Sequence, residues 1–139
     1  MKKKIKVLSL FTGAGGLDIG FHEQGYEIIC ASDSWLESKK TFEINFPNTP
    51  FIHEDIRSLT SKQILKKTKN EKPDIIIGGP PCQGFSVMGD KNSADPRNLL
   101  FESYVRLVRE LQPKCFIFEN VKGLKSMFQG RYLISIINS

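Results

Sequence analysis

The chain has 139 residues, 40% of them hydrophobic and 25% charged, with a formal net charge of +5, a balance ordinary for one soluble globular domain with a real core. No apolar run approaches the roughly 18 residues a membrane helix needs, and the basic start, Met1 to Lys6, leads through a short apolar run into glycines, which reads as a first strand and not a signal peptide. Cys30, Cys82 and Cys115 are widely spaced without a CxxC pair, and His22 and His53 are isolated, so no disulfide framework or metal site is expected, no membrane is involved, and a reducing, cytoplasmic setting fits best.

Ile5 to Phe11 is apolar and β-prone and is followed by Thr12-Gly13-Ala14-Gly15-Gly16. Leu17, Ile19 and Phe21 predict a helix ending near Gly25, and Glu27 to Ser32 a second strand. Trp35 to Phe46 reads as a helix stopped by Pro47, and Phe51-Ile52 as a short third strand. Ser61 to Thr68 is a polar helix whose neighbouring Lys62, Lys66, Lys67, Lys69 and Lys72 read as a solvated face. Asp74 to Gly78 is an apolar fourth strand ended by Gly79-Pro80-Pro81. Two prolines cannot continue a central strand, so the chain leaves the sheet there on a stiff path and presents Cys82 at a strand's carboxyl end.

Gln83 to Pro96 is rich in Gly, Ser, Asp and Asn, a loop of about fourteen residues, longer than most connections. Asp95 is a natural N-cap, Pro96 suits a first turn, and Leu100 to Leu111 has helical spacing. Cys115 to Phe118 is a fifth strand, ending at Glu119-Asn120. Cys30 and Cys115 read as small core residues. The alternation of strands and helices predicts an α/β fold with a mostly parallel sheet covered on both faces. The apolar segment Tyr132, Leu133, Ile134, Ile136, Ile137 stops almost at once, which suggests either a docked terminal element or the first part of something larger.

Several features can carry chemistry. The Gly13 to Gly16 turn admits a ligand close to the backbone and opens onto a helix N-terminus. Asp33 lies twenty residues after Gly13 at the end of a strand, where an acid holds the ribose hydroxyls of an adenosine cofactor. Asp55 ends the third strand and could accept from an adenine amino group. These features alone fit NAD as well as S-adenosylmethionine, although Asp18 stands where the third glycine of the dinucleotide fingerprint belongs. Cys82 is a candidate nucleophile, the alternative being a buried structural thiol. Gln83 and Ser86 could donate to a phosphate or base. Glu119, partly buried, would hold its proton more tightly than usual and donate to a heterocycle. Arg97 is either structural or a phosphate contact.

Phe11-Thr12-Gly13-Ala14-Gly15-Gly16-Leu17, Gly79-Pro80-Pro81-Cys82-Gln83-Gly84-Phe85-Ser86 and Glu119-Asn120-Val121 resemble the ordered signature blocks of the cytosine-5 DNA methyltransferases. Asp55-Ile56 and Asp95-Pro96-Arg97-Asn98 with Leu100-Phe101 resemble the blocks between them. The resemblance runs from Val7 to about Leu124. It implies a Rossmann-like methyltransferase fold that uses S-adenosyl-L-methionine, releases S-adenosyl-L-homocysteine and acts on double-stranded DNA. It also assigns roles. Phe11, Thr12, Gly13, Ala14, Gly15, Gly16 and Leu17, with Gly79 and Pro81, would hold the cofactor; Asp33 would bind its ribose, Asp55 and Ile56 its adenine, and Leu100 would line the pocket. Cys82 would attack carbon 6 of a flipped-out cytosine, Glu119 would donate to ring nitrogen 3, and Asn120 completes the catalytic set. Gln83, Ser86 and Arg97 would meet DNA.

The sequence also departs from the family. Ser34 stands where a bulky residue usually packs on adenine, with Trp35 one place later. A later Gln-Arg-Arg block, a target-recognition region and a closing block have no counterpart. Residues 1–139 are therefore expected to be the N-terminal part of a catalytic domain, incomplete at its C-terminal side, with little activity alone. They would be a truncated restriction-modification enzyme, one half of a split enzyme whose second chain reads the target, or a cofactor-binding remnant. An exposed apolar edge is expected to promote self-association. Other activities considered are tRNA cytosine-5 methylation and NAD-dependent oxidoreduction.

Overall fold

The computed structural model describes residues 4–81, 100–122 and Ile134. Expectations for Cys82, the Gln83 to Pro96 loop, the Asp95 cap and most of the terminal apolar segment lie outside those residues. The elements run β1 (Lys6–Leu10), α1 (Gly16–Glu23), β2 (Glu27–Asp33), α2 (Leu36–Asn45), β3 (Phe51–His53), α3 (Ser61–Lys67), β4 (Ile75–Gly78), α4 (Leu100–Leu111) and β5 (Cys115–Phe118). Each described element expected from the sequence forms, within about two residues of its expected bounds. Trp35 caps α2 instead of opening it, and Asp33 is the last residue of β2 instead of following it.

Turn chemistry sets these boundaries. Thr60 and Gln63 make a reciprocal capping box: Thr60 Oγ1 accepts from the Gln63 amide at 3.2 Å, and Gln63 Oε1 accepts from the Thr60 amide at 2.8 Å. Both of those orphan helix-entry donors are thereby satisfied at the start of α3.

All strand pairings are parallel, in the order β3-β2-β1-β4-β5. The connections place the first two helices on one face and the next two on the other. Val7, Ile28, Ala31, Phe51 and Ile77 pack with Phe42 of α2 and with Phe46, which caps that helix, and Phe21 of α1 joins that cluster. Leu8, Leu10, Cys30, Ile52 and Ile76 pack with Ile64 of α3 and with Tyr104, Leu107 and Leu111 of α4. Strand residues serve both faces, with a register shift between β1 and β2 that sends Ile28 and Cys30 to opposite clusters, which is why the strands read as near-continuous apolar runs. The protein is thus a Rossmann-like parallel α/β sheet with helices on both faces, β5 remaining exposed, and the strand order reverses between β1 and β4. Ligands of such sheets bind beyond the carboxyl ends of the strands at that point.

One core expectation fails. Cys30 is buried with no exposure, but Cys115 is exposed. Cys115 opens β5, the edge strand, and no described strand covers its outer side.

Candidate active site at the carboxyl edge of the sheet

The turn after β1 is held by its backbone. Phe11 adopts φ 54 and Gly13 φ 55, a left-handed region that penalises a side chain at Phe11 and suits Gly13. The Thr12 amide donates to the Ser32 carbonyl at 3.2 Å, and the Gly15 amide to the Thr12 carbonyl at 3.0 Å. Gly15, at φ 90, caps α1, and a Cβ there would come within 3.1 Å of the Phe42 and Phe46 rings. This turn is therefore seated directly on the core. Ala14, Gly16 and Leu17 stay exposed.

Asp18 lies beneath the same turn with no exposure. Its Oδ2 accepts from Thr12 Oγ1 at 2.7 Å and from Ser9 Oγ at 3.1 Å. Among the described residues no donor reaches Oδ1. Burial pushes this carboxyl above its usual range, and donation from Thr12 and Ser9 opposes the shift only in part. In the sequence Asp18 stands out only as a departure from a glycine pattern; partners six and nine residues back form no local motif.

Asp33 joins two segments. Its Oδ2 accepts from the Gly13 amide at 2.9 Å and its Oδ1 from the Trp35 amide at 2.9 Å. A hollow beside it is lined by Leu10, Phe11, Ser32, Asp33, Ser34, Glu54, Asp55, Ile56 and Leu100. The structure therefore brings Phe11, Asp33, Ser34, Asp55, Ile56 and Leu100 together around one hollow. Trp35 is 71% exposed and is not among its lining residues. Glu54, not singled out in the sequence, adds a third carboxylate to the walls. Asp55 faces its own neighbour: Arg57 donates from its amide and Nε to Oδ1, at 2.8 and 2.9 Å, and from Nη2 to Oδ2 at 2.6 Å. That pairing holds the Asp55 carboxyl below its usual range.

The second half of the site forms where β4 and β5 end. The Glu119 amide donates to the Gly78 carbonyl at 2.9 Å. Its carboxylate lies over Gly79 so closely that a Cβ there would meet Oε2 at 2.9 Å, so a side chain at that position would displace the carboxylate from its place. Asn120 Nδ2 donates to the Pro80 carbonyl at 3.2 Å, while its Oδ1 accepts from the Val121 amide at 2.9 Å. Glu119 is exposed, not partly buried as expected, because it follows the edge strand. Pro80 is buried and Pro81 exposed. Cys82, Gln83, Ser86 and Arg97 lie outside the described residues. The acid and the amide thus flank the diproline that leads to Cys82. Cys30 is no competing nucleophile, since burial pushes its thiol up to about 12.

A family model described as C-5 cytosine-specific DNA methylase matches residues 5–139. The Type II methyltransferase M.AquIA of Picosynechococcus sp. is 44% identical over 135 residues, covering 95% of this chain and 54% of the relative. M.DdeI of Desulfomicrobium norvegicum is 43% identical over 123 residues, covering 88% and 29%. The chain therefore spans about half the length of the first relative and less than a third of the second. Among solved structures, an E. coli prophage protein described as a DNA modification methyltransferase superposes with TM-score 0.83 at 36% identity, over 97% of this chain and 37% of its own. DNMT2 of Spodoptera frugiperda superposes with TM-score 0.69 at 29% identity, over 97% and 41%.

Proposed function

The chain belongs to the C-5 cytosine-specific DNA methylase family, and we propose that it binds S-adenosyl-L-methionine and carries the nucleophile for methyl transfer to carbon 5 of cytosine in double-stranded DNA. The relatives named Type II methyltransferases support a restriction-modification setting, and a free nucleophilic thiol suits the cytoplasm. The observation that carries the reading is the join between β4 and β5. Glu119 covers Gly79 and Asn120 holds the Pro80 carbonyl, so the acid meets the diproline that precedes Cys82 in sequence.

The hollow fits the cofactor. Asp33, Glu54 and Asp55 line it together with Phe11, Ile56 and Leu100, an acidic and apolar surround suited to a cationic sulfonium and an adenine ring. Asp33 would hold the ribose and Asp55 with Ile56 the adenine. The turn from Thr12 to Leu17, with Gly79 and Pro81, would hold the methionine end. Trp35, exposed beside Ser34, is free to cover the adenine. When bound, the cofactor supplies an electrophilic methyl group for carbon 5.

The chain's own residues do the rest. Cys82 Sγ, as thiolate, bonds to carbon 6 of a flipped cytosine, and the displaced π electrons make carbon 5 enamine-like. Glu119 donates at ring nitrogen 3 and steadies the charge that develops. Asn120 keeps the Pro80 carbonyl, and so the approach to Cys82, in place. Loss of the carbon 5 proton then expels Cys82 as thiolate. Gln83, Ser86 and Arg97 contact the DNA. The exposed side chains of β5, Phe116 at 49% and Ile117 at 38%, support a polypeptide partner there, either a chain carrying target recognition or a second copy.

Two measurements test the reading. Calorimetric titration is expected to show S-adenosyl-L-methionine binding that weakens in Asp33→Ala, with no binding of NAD; the reverse preference would overturn it. With S-adenosyl-L-methionine and a polypeptide supplying target recognition, duplex DNA carrying 5-fluorocytosine is expected to form a covalent adduct; no adduct under those conditions, or one that survives Cys82→Ser, would overturn the assigned nucleophile.

A further inference from the structure

Arg106, at mid-length of α4, reaches back to the loop between β3 and α3. Its Nη2 donates to the Ile56 carbonyl at 3.0 Å and to the Leu59 carbonyl at 2.8 Å. Both Nη2 hydrogens are therefore used on one turn. Nη1 donates to Glu110 Oε1 at 3.2 Å, and Glu110 Oε2 accepts from the Ser61 amide at 3.4 Å. The turn itself is closed from within: the Ser58 and Leu59 amides donate to the Asp55 carbonyl at 2.9 and 3.0 Å. Its internal bonds fix its shape, and Arg106 fixes where that shape sits against α4. The hollow takes Asp55 and Ile56 from this turn and Leu100 from the first residue of α4. The two walls are thus tied by a single planar guanidinium, whose fork can serve two carbonyls and a carboxylate at once.

We infer that Arg106 is a positioning residue for the cofactor hollow, setting the Asp55–Ile56 wall at its working distance from Leu100. The inference rests on the hollow being the S-adenosyl-L-methionine site. A merely structural arginine would lower thermal stability and leave the affinity of the folded protein unchanged; a positioning one also weakens binding below the melting temperature.

The test compares the unaltered chain with Arg106→Gln, Arg106→Lys and Glu110→Gln by calorimetric titration of S-adenosyl-L-methionine, at a temperature where circular dichroism shows each folded. Hydrogen exchange is followed at Ser58 and Leu59. Arg106→Gln is expected to bind about tenfold more weakly, the scale of losing charge-assisted hydrogen bonds, with faster exchange at those two amides and unchanged exchange in α4. Arg106→Lys keeps the charge but offers one compact ammonium, so it is expected to recover part of the affinity, and it carries the comparison should the glutamine variant unfold. Glu110→Gln leaves both carbonyl contacts intact and is expected to bind as the unaltered chain does. Unchanged affinity in a folded Arg106 variant would overturn this inference alone. Absence of binding by the unaltered chain would overturn the functional reading with it.

Discussion

Asp18 shows how one side chain can set a pH dependence. Its folded carboxyl is raised above the ordinary 3.8 by burial, so the folded state holds its proton more tightly than the unfolded state. The stability it contributes is fully present below the unfolded value and is lost as pH rises through the folded one. Asp18→Asn keeps an oxygen for Thr12 and Ser9 without a titrating group. Urea denaturation from about pH 4 to about pH 8 is therefore expected to show the unaltered protein losing stability relative to the variant as pH rises. A constant difference would mean that the carboxyl is ionised throughout. Asn120 has a different task. Asn120→Ala leaves the Pro80 carbonyl without its donor and is expected to lose about 1 kcal/mol in the same assay. Its adduct formation with 5-fluorocytosine DNA should fall by more than that loss explains. Neither arrangement was legible in the sequence. Asp33 was legible as an acid at a strand end, whereas Asp55 lies two residues past the end of β3, in the turn that follows; the Gly13 amide that holds Asp33 was not legible, because that contact depends on how separate loops converge.

Glycines show at the level of elements what pattern can and cannot supply. The run Ile75-Ile76-Ile77-Gly78 announced a buried strand by its apolarity, yet the need for Gly78 lies in two other elements. A Cβ there would sit 2.6 Å from the Leu10 carbonyl of β1 and 2.8 Å from the Tyr104 ring of α4. That ring cannot retreat easily, because Tyr104 Oη shares its proton between the Ile76 and Ile117 carbonyls at 3.1 and 2.9 Å. Gly78→Ala is expected to destabilise by about 1–3 kcal/mol, the usual range for overpacking. Gly20, within α1, meets nothing within 4 Å, and Gly20→Ala is expected to stabilise by about 0.5–1 kcal/mol through lower chain entropy and better helix propensity. Chemical denaturation measures both, and the opposite signs separate packing from propensity. Helix and strand positions were legible because periodicity and breakers act locally. The exposure of Cys115 was not, because a strand's own residues do not reveal whether it ends a sheet.

For the whole molecule, the alternation of elements made the parallel sheet legible, and the sheet in turn placed every strand-end motif at one edge. What the alternation could not supply was the lateral order, which decides which motifs are neighbours. Among the described strands the same order leaves β5 outermost, with Phe116 and Ile117 exposed. Sedimentation is expected to show concentration-dependent association that Phe116→Lys reduces, as a charge on an edge strand does elsewhere; equal sedimentation of the two would remove that edge as a contact. The order has a kinetic side as well. β1 pairs with β2, its neighbour in sequence, but also with β4, where Lys6 and Asp74 meet across 68 residues. The segment from β1 to β3 can zip locally, whereas β4 must cross to the far side of β1 before α4 has a surface to dock on. Closing that long loop has to precede its reward. The last region to become native should then be the β4 side that carries the diproline, so the reactive edge would be completed only after the remainder of the sheet is in place.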